Sequence, residues 1–265
     1  MIVVEDGTEI VAETRLGRAR LLRLPYVGRS VARNAGVAAA ETELVAFLDA
    51  DDVSLPGRFA AQAEALASAP GAALCFGRAE VVDGALRQIP GLTANERSRY
   101  DALLARGTTY DSLIVDCPIY TSATMVRRNL FLAAGGYDRL LDAYEDLDLY
   151  LRLARDAYLV PSGGGPVALH RIHGANTPST DYSAGSYHVA RKHLAGATRA
   201  SMRLLRERQV NALWNLGDFR RVRREARRAL RDDPKLVLNP RFAKRLLTSS
   251  LPVPLLDSVR ERRTP

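Results

Sequence analysis

The chain has 265 residues, 47% hydrophobic and 26% charged, with a formal net charge of +8. That length suits one large domain, or one domain with an appendage, and the apolar share can fill a core. No cationic, apolar leader opens it and no run of about 18 apolar residues occurs, so the expectation is a soluble protein, at most peripheral to a membrane.

Ile2 to Val4 form a short apolar strand that runs into a turn, Glu5-Asp6-Gly7-Thr8. Arg20 to Leu24 read as a second strand. Ser30 is placed to cap a helix through about Ala40, with Val31, Ala35 and Ala38 on one face. Leu44 to Leu48 are continuously apolar, the pattern of a strand covered on both faces. Pro56 starts a helix with Phe59, Ala63, Leu66 and Ala67 at helical spacing, and Ala72 to Val82 follow as a strand. The alternation predicts an α/β layered fold with a mainly parallel sheet.

Thr121 to Val126 predict a further strand, and Arg127 to Ala134 a short helix stopped by Gly135-Gly136. A stronger helix spans about Glu145 to Ala157, with Leu147, Tyr150, Leu151 and Ala154 on its apolar face. Tyr158 to Val160 and Val167 to Ile172 read as the last strands, separated by a loop from Ser162 to Gly165. From about Ser186 the pattern is helical and arginine-rich, with breaks at Gly217, Asp232-Asp233-Pro234 and Pro252. The expected organisation is a layered domain over residues 1–185 and a basic helical region over 186–265.

Charge divides the chain in the same way. Arg191 to Pro265 carry 20 basic and 7 acidic side chains, a net of +13, against 18 basic and 23 acidic in the preceding residues. All three lysines, Lys192, Lys235 and Lys244, lie in the basic part. Cys75 and Cys117 both sit in apolar segments, as small buried hydrophobes in a reducing compartment do.

The chemistry begins at Asp49-Ala50-Asp51-Asp52. Three carboxylates at the end of a strand repel one another, and a bound cation would offset that repulsion. In open α/β sheets this is also where ligands bind. On a continuing strand Asp49 and Asp51 would face one side and reach one metal, with Asp52 turned away. Two other readings stand beside this one. The acids could simply cap the helix after Pro56, or Asp49-Ala50-Asp51-Asp52-Val53 could be the opening motif of a haloacid-dehalogenase-like phosphatase. The latter chemistry needs a lysine to steady its phosphoaspartate, and none precedes Lys192.

Further motifs accompany the acids in order: Glu5-Asp6-Gly7-Thr8, Gly28 with Ala32-Arg33-Asn34 and Gly36, and Ala46-Phe47-Leu48 leading into the acids. Gly135-Gly136-Tyr137-Asp138, Glu145-Asp146 with Asp148-Leu149, and Arg152 follow. Together they resemble the family 2 glycosyltransferases over roughly residues 1–178. The resemblance implies a GT-A fold, a Rossmann-like layered sheet, and transfer of a sugar from a nucleotide sugar to an acceptor hydroxyl with inversion. By carry-over, Asp6 contacts the nucleotide base, Arg33 lies near the base or the diphosphate, and Asp49 and Asp52 belong to the donor site. Asp51, supported by Asp49, holds a divalent metal, Mg2+ or Mn2+, on the diphosphate. A hard cation with oxygen ligands would neutralise the charge developing on that leaving group.

Inversion also needs a base. The resemblance places it in the pair Glu145-Asp146, and Asp146 is the choice, with Glu145 and Asp148 as alternatives. Acids in the first turn of a helix also stabilise its dipole without any catalysis. His173 either completes the metal shell or touches the diphosphate, or is a solvent-facing loop residue.

Relatives begin with another strand and helix ahead of the Asp-Gly-Thr turn, so the expectation is a fold lacking its first strand and helix. The Gln-x-x-Arg-Trp motif of processive synthases is absent, which favours single additions. The expected role is a cytoplasmic transferase in glycan or cell-envelope polysaccharide synthesis, acting on a glycan or lipid-linked acceptor. The alternative is a noncatalytic or N-terminally truncated remnant serving as a basic module for anionic membrane or nucleic acid. In the tail, Arg220, Arg221, Arg223, Arg224, Arg227, Arg228 and Arg231 are read as spread around most of a helix. Leu204, Leu205, Leu213, Trp214 and Phe219 are expected to dock the tail onto the catalytic domain.

Overall fold

The computed structural model describes residues 1–7, 18–173 and 179–250, which divide into two units, Met1–Asn176 and Thr177–Pro265. In the first, β1 (Ile2–Asp6) runs parallel to β2 (Arg20–Leu24), with Ile2 beside Arg20 and Asp6 beside Leu24. Helix α1 (Arg29–Ala39) packs on β1, and a Cβ at Gly36 would already sit 3.2 Å from Val4 Cγ2. Gly28, at φ 84, is the N-cap of α1, a backbone conformation that costs glycine little. Ser30 is therefore not the cap: it is buried, and its hydroxyl donates to Leu141 O at 3.3 Å.

Five strands form the main sheet, in the order β3-β6-β5-β7-β4. They are β3 (Leu44–Ala46), β4 (Val53–Ser54), β5 (Ala72–Val82), β6 (Thr124–Arg127) and β7 (Tyr158–Arg171). The expectation of a mainly parallel sheet fails here. β6 lies between β3 and β5 and runs antiparallel to both, β4 is antiparallel to β7, and only β5 and β7 are parallel. The helices of this unit are α2 (Arg58–Ala67), α3 (Pro90–Arg106), α4 (Tyr110–Val115), α5 (Arg128–Ala133) and α6 (Glu145–Asp156).

Successive side chains of a strand point to opposite faces. On β5, Cys75 meets Leu66 of α2, while Phe76 meets Tyr100 of α3 with ring centroids 5.7 Å apart. The sheet is thus layered between those two helices. Ala72 to Phe76 are all 0% exposed, and burying each large apolar side chain there stabilises the fold by about 1.5–3 kcal/mol. β7 is a single strand rather than two, because the glycine-rich segment is a bulge. Phe76 pairs with Pro161 and Arg78 with Pro166, so residues 162–165 oppose Gly77 alone. A Cβ at Gly77 would lie 2.3 Å from Val167 Cγ2.

β3 ends at Ala46, is only half covered, and is followed by Leu48 at 49% exposure, so the predicted strand covered on both faces is shorter and lies at the sheet edge. What fixes this edge is Arg58, 1% exposed. Its Nη2 donates to Phe47 O at 2.7 Å and Thr124 O at 2.9 Å, and its Nε to Gln62 Oε1 at 3.0 Å. Gln62 Nε2 in turn donates to Ala123 O at 2.8 Å. Arg58→Ala should leave the Phe47 carbonyl and Gln62 Oε1 without this donor, open a cavity, and cost on the order of 2–4 kcal/mol. Urea unfolding that shifts by less than 1 kcal/mol, a bound set by ordinary surface substitutions, would show the bonds to be redundant.

The second unit comprises α7 (Ser179–His193), α8 (Arg199–Asn215), α9 (Phe219–Asp232) and α10 (Pro240–Ser249), so its helices begin ahead of Ser186. Thr198, Asp218 and Asn239 cap α8, α9 and α10 through their side chains. Leu213, Trp214, Phe219, Val222, Ala226, Ala229, Leu236 and Phe242 form its core, with Trp214 and Phe219 edge to face at 5.1 Å. Leu213, Trp214 and Phe219, expected to dock the tail, lie in this unit's own core. The arginines of α9 fall on one side of the helix, because Phe219, Val222, Ala226 and Ala229 recur at intervals of three or four residues and take the other. The break predicted at Pro252 lies outside the described residues. No described helix is long and apolar enough to cross a membrane.

Candidate active site

Beyond β3 the chain closes a turn in which Asp52 N donates to Asp49 O at 3.1 Å, while Asp49 N donates to Ser122 Oγ at 2.9 Å. The strand does not continue, so Asp49 and Asp51 diverge instead of facing one side. Asp49 turns toward α1, where Arg33 Nη2 and Nε donate to its Oδ1 at 2.6 and 3.2 Å. The same guanidinium donates from Nη1 to Glu145 Oε1 at 2.7 Å. One arginine thus joins the acidic turn after β3 to the first turn of α6. Burial opposes its charge, yet Asp49, Tyr137 and Glu145 raise its pKa above the ordinary value, and it stays cationic. The arginine expected beside the nucleotide base or diphosphate thus links Asp49 to Glu145.

The acid pair is aimed by its neighbours. Tyr144, the residue before it, is held at φ 61, a left-handed conformation costing a non-glycine residue about 1–2 kcal/mol. Glu145 is 4% exposed and committed to Arg33. Asp148 is 0% exposed and paired with Arg152 at 2.7 Å, which makes it part of the scaffold. Asp146 is half-buried and accepts a bond from Leu147 N at 2.7 Å. Burial and the negative charge of Glu145 push its carboxyl up to about 7. Burial raises the pKa of the Tyr137 and Tyr150 hydroxyls, and the charge of Asp146 adds to the rise.

Sequence reasoning assigned no role to the parts that hold this arrangement. Asn34, next to Arg33, brackets the backbone of Tyr137: its Nδ2 donates to Tyr137 O and its Oδ1 accepts from Tyr137 N, both at 2.8 Å. A Cβ at Gly136 would lie 2.6 Å from Asn34 Oδ1, so the second glycine is there for contact as well as for its φ of 67. Arg152 Nη2 donates to Gly136 O at 2.6 Å from the other side. The only signal for this bracket was the presence of the two motifs, far apart in the chain.

The other two acids of the turn face β7. Asp51 Oδ2 lies 2.8 Å from His173 Nε2. Asp52 is buried, its Oδ1 accepting from Arg171 N at 2.9 Å and lying 3.2 Å from His170 Nδ1. Burial alone would raise the Asp52 pKa, but hydrogen bonds from His170, Ser122 and the Arg171 amide lower it. The Tyr120 ring covers His170 at 4.4 Å. Asp52 thus braces the turn against β7. Asp6, at the end of β1, accepts from Val27 N at 2.6 Å. The structure brings Asp49, Arg33, Glu145 and Asp146 together; Asp51 and His173 form a second pair beside them.

The residues can be tested against a divalent metal. Among the described residues no three acidic, histidine or cysteine side chains converge to hold a cation. Asp51 and His173 offer two donors on one point, which fits a cation completing its shell with diphosphate oxygens and water.

A mixed sheet between helices, with an acidic turn at a strand end joined to a carboxylate pair at a helix start, defines a glycosyltransferase of the GT-A fold. The family described as Glycosyltransferase like family 2 matches residues 25–178, more than half of the sequence, and the chain belongs to that family. No curated protein matches it. Among solved structures, S. aureus TarS 1–349 superposes with a TM-score of 0.63 at 14% identity, covering 99% of this chain and 82% of that one. The same TarS fragment in complex with UDP-GlcNAc gives 0.60 at 15% identity, covering 98% and 82%. The mannosyltransferase PcManGT from Pyrobaculum calidifontis, in complex with GDP-Man and Mn2+, gives 0.57 at 13% identity, covering 98% and 76%.

Proposed function

We propose that this glycosyltransferase moves a sugar from a nucleotide sugar to an acceptor hydroxyl in one inverting displacement, with Asp146 as the base. The observation that carries the reading is the division of labour in the pair: Arg33 holds Glu145 at 2.7 Å, while among the described residues Asp146 accepts from a backbone amide alone. A base works best when its pKa lies near the working pH. The acceptor oxygen attacks the anomeric carbon as its proton passes to an Asp146 carboxylate oxygen. The bond from that carbon to the diphosphate breaks, and the nucleoside diphosphate leaves with the electron pair.

Asp51 and His173 are the residues that would hold Mg2+ or Mn2+, and such a cation would neutralise the leaving diphosphate. Asp6 is assigned to the nucleotide base. Arg33 is assigned to fixing Asp49 and Glu145 rather than to donor contact. PcManGT binds GDP-Man with Mn2+ and TarS binds UDP-GlcNAc, which supports a metal and a nucleotide-sugar donor here. We further assign single additions to a glycan or lipid-linked acceptor in cell-envelope polysaccharide synthesis, on the cytoplasmic side of the membrane.

A panel of UDP-, GDP- and dTDP-sugars incubated with the chain and Mn2+ should yield nucleoside diphosphate from at least one donor, and chelation should stop it. No release from any donor would count against the reading. The pH dependence has a definite sign. Protonated Asp146 cannot accept the acceptor's proton, so kcat/KM should rise with pH through about 7 and level off above it. A profile flat between about pH 5 and 8, where only groups perturbed like this one or histidines titrate, would remove Asp146 from the role.

A further inference from the structure

The helical unit carries a cationic surface made by residues outside the candidate active site. On α9, Arg220, Arg221, Arg224, Arg227, Arg228 and Arg231 are exposed, while Phe219, Val222, Ala226 and Ala229 are buried. Arg220, Arg224, Arg227 and Arg231 follow one another at intervals of four, three and four, so they form a line about 16 Å long on one face. Nearby acids offset part of this charge. Glu225 is 2% exposed and shared by Arg224, Arg228 and Arg206, at 3.3, 3.0 and 3.7 Å. Asp218 pairs with Arg221, and Asp232 with Arg206. Among the described residues, Arg220, Arg227 and Arg231 have no carboxylate partner.

Apolar side chains stand exposed next in the chain. In the turn Pro234–Leu238, Val237 is 53% and Leu238 76% exposed, and on α10 Leu247 is 71% exposed. Exposed cations accompany them: Lys235 in the turn, and Arg241 and Lys244 at three-residue spacing with Leu247 on α10. A nucleic acid would be met by charge and stacking. The aromatic side chains from Phe219 to Ser250 are Phe219 and Phe242, both buried. Cations interleaved with exposed leucines match instead the boundary between lipid headgroups and acyl chains, where charge attracts and aliphatic tips enter.

We propose that α9, the turn Pro234–Leu238 and the exposed side of α10 dock on an anionic lipid bilayer. The arginine line engages the headgroup phosphates, and Leu238 and Leu247 enter the interface. The surface deepens the proposed function only by naming where the enzyme meets the membrane, and it rests on no step of the transfer. Vesicle binding and turnover can therefore fail separately.

The test is sedimentation of the full chain with vesicles of phosphatidylcholine alone or mixed with phosphatidylglycerol, at low and high salt. Binding is expected only with phosphatidylglycerol and should weaken as salt rises. Joint replacement Arg220→Gln, Arg224→Gln, Arg227→Gln and Arg231→Gln should weaken partition by about a thousandfold, and the same four positions as Lys should restore it. Leu238→Ser with Leu247→Ser should weaken it by about tenfold at unchanged charge, and this pair decides the matter if the quadruple variant does not fold. Equal binding to pure phosphatidylcholine, or unchanged binding in the glutamine variant, would overturn the proposal. So would binding to duplex DNA as tight as to vesicles, with the leucine variant indistinguishable from the parent.

Discussion

Asp146→Asn is expected to lower the turnover of sugar transfer by about 10²- to 10⁴-fold while leaving donor affinity unchanged. The substitution keeps the shape of the side chain, and its remaining oxygen can still accept from Leu147 N. What it removes is the capacity to take the acceptor's proton. Glu145→Gln should behave differently. Glu145 is buried against Arg33, so losing its charge leaves a guanidinium half-partnered and should cost on the order of 3 kcal/mol of stability. Turnover then falls because the clamp between the acidic turn and α6 loosens. If Glu145→Gln proves the more damaging variant at unchanged stability, the base is the other acid of the pair.

Asp51→Asn should abolish the dependence of nucleotide binding on Mn2+, a loss of about tenfold or more in affinity measured by calorimetry with metal present. Asp51 is 41% exposed at its side chain and meets His173 at 2.8 Å, so the change deletes ligand charge with little effect on folding. Asp52→Asn is the informative companion. Its carboxylate is 2% exposed and holds His170 and the Arg171 amide, so its loss should lower the unfolding midpoint and leave the metal dependence in place. Mn2+-dependent binding that survives in Asp51→Asn would move the metal elsewhere.

Those two variants separate residues that stand side by side in the chain, which is where the sequence was least legible. Strands from Arg20 to Leu24 and from Ala72 to Val82 could be read to the residue, because apolar runs bounded by breakers are local signals. The meeting of Asp49, Arg33, Glu145 and Asp146 was anticipated by ordered motifs, though not its geometry. The rule that residues two apart share a face presumes a continuing strand, and β3 stops at Ala46. Sheet order was out of reach for a related reason. Nothing local to Thr124–Arg127 says that this strand inserts antiparallel between β3 and β5. Arg58 and Asn34 were also silent, since their work is done on backbone atoms more than 60 residues away, at Thr124 and Tyr137. By contrast, the one-sidedness of the α9 arginines was available in the spacing of Phe219, Val222, Ala226 and Ala229, yet they were read as spread around most of the helix.

Inversion through one base-assisted displacement is tested most directly by proton NMR of the slow hydrolysis of an α-linked nucleotide sugar that the donor panel identifies. Water then stands in for the acceptor, and spectra taken before mutarotation reveal the anomer first formed. The predicted product is the β-anomer, appearing with the parent chain and absent with Asp146→Asn. An α-anomer formed first, or a β-anomer formed equally fast by Asp146→Asn, would contradict the mechanism.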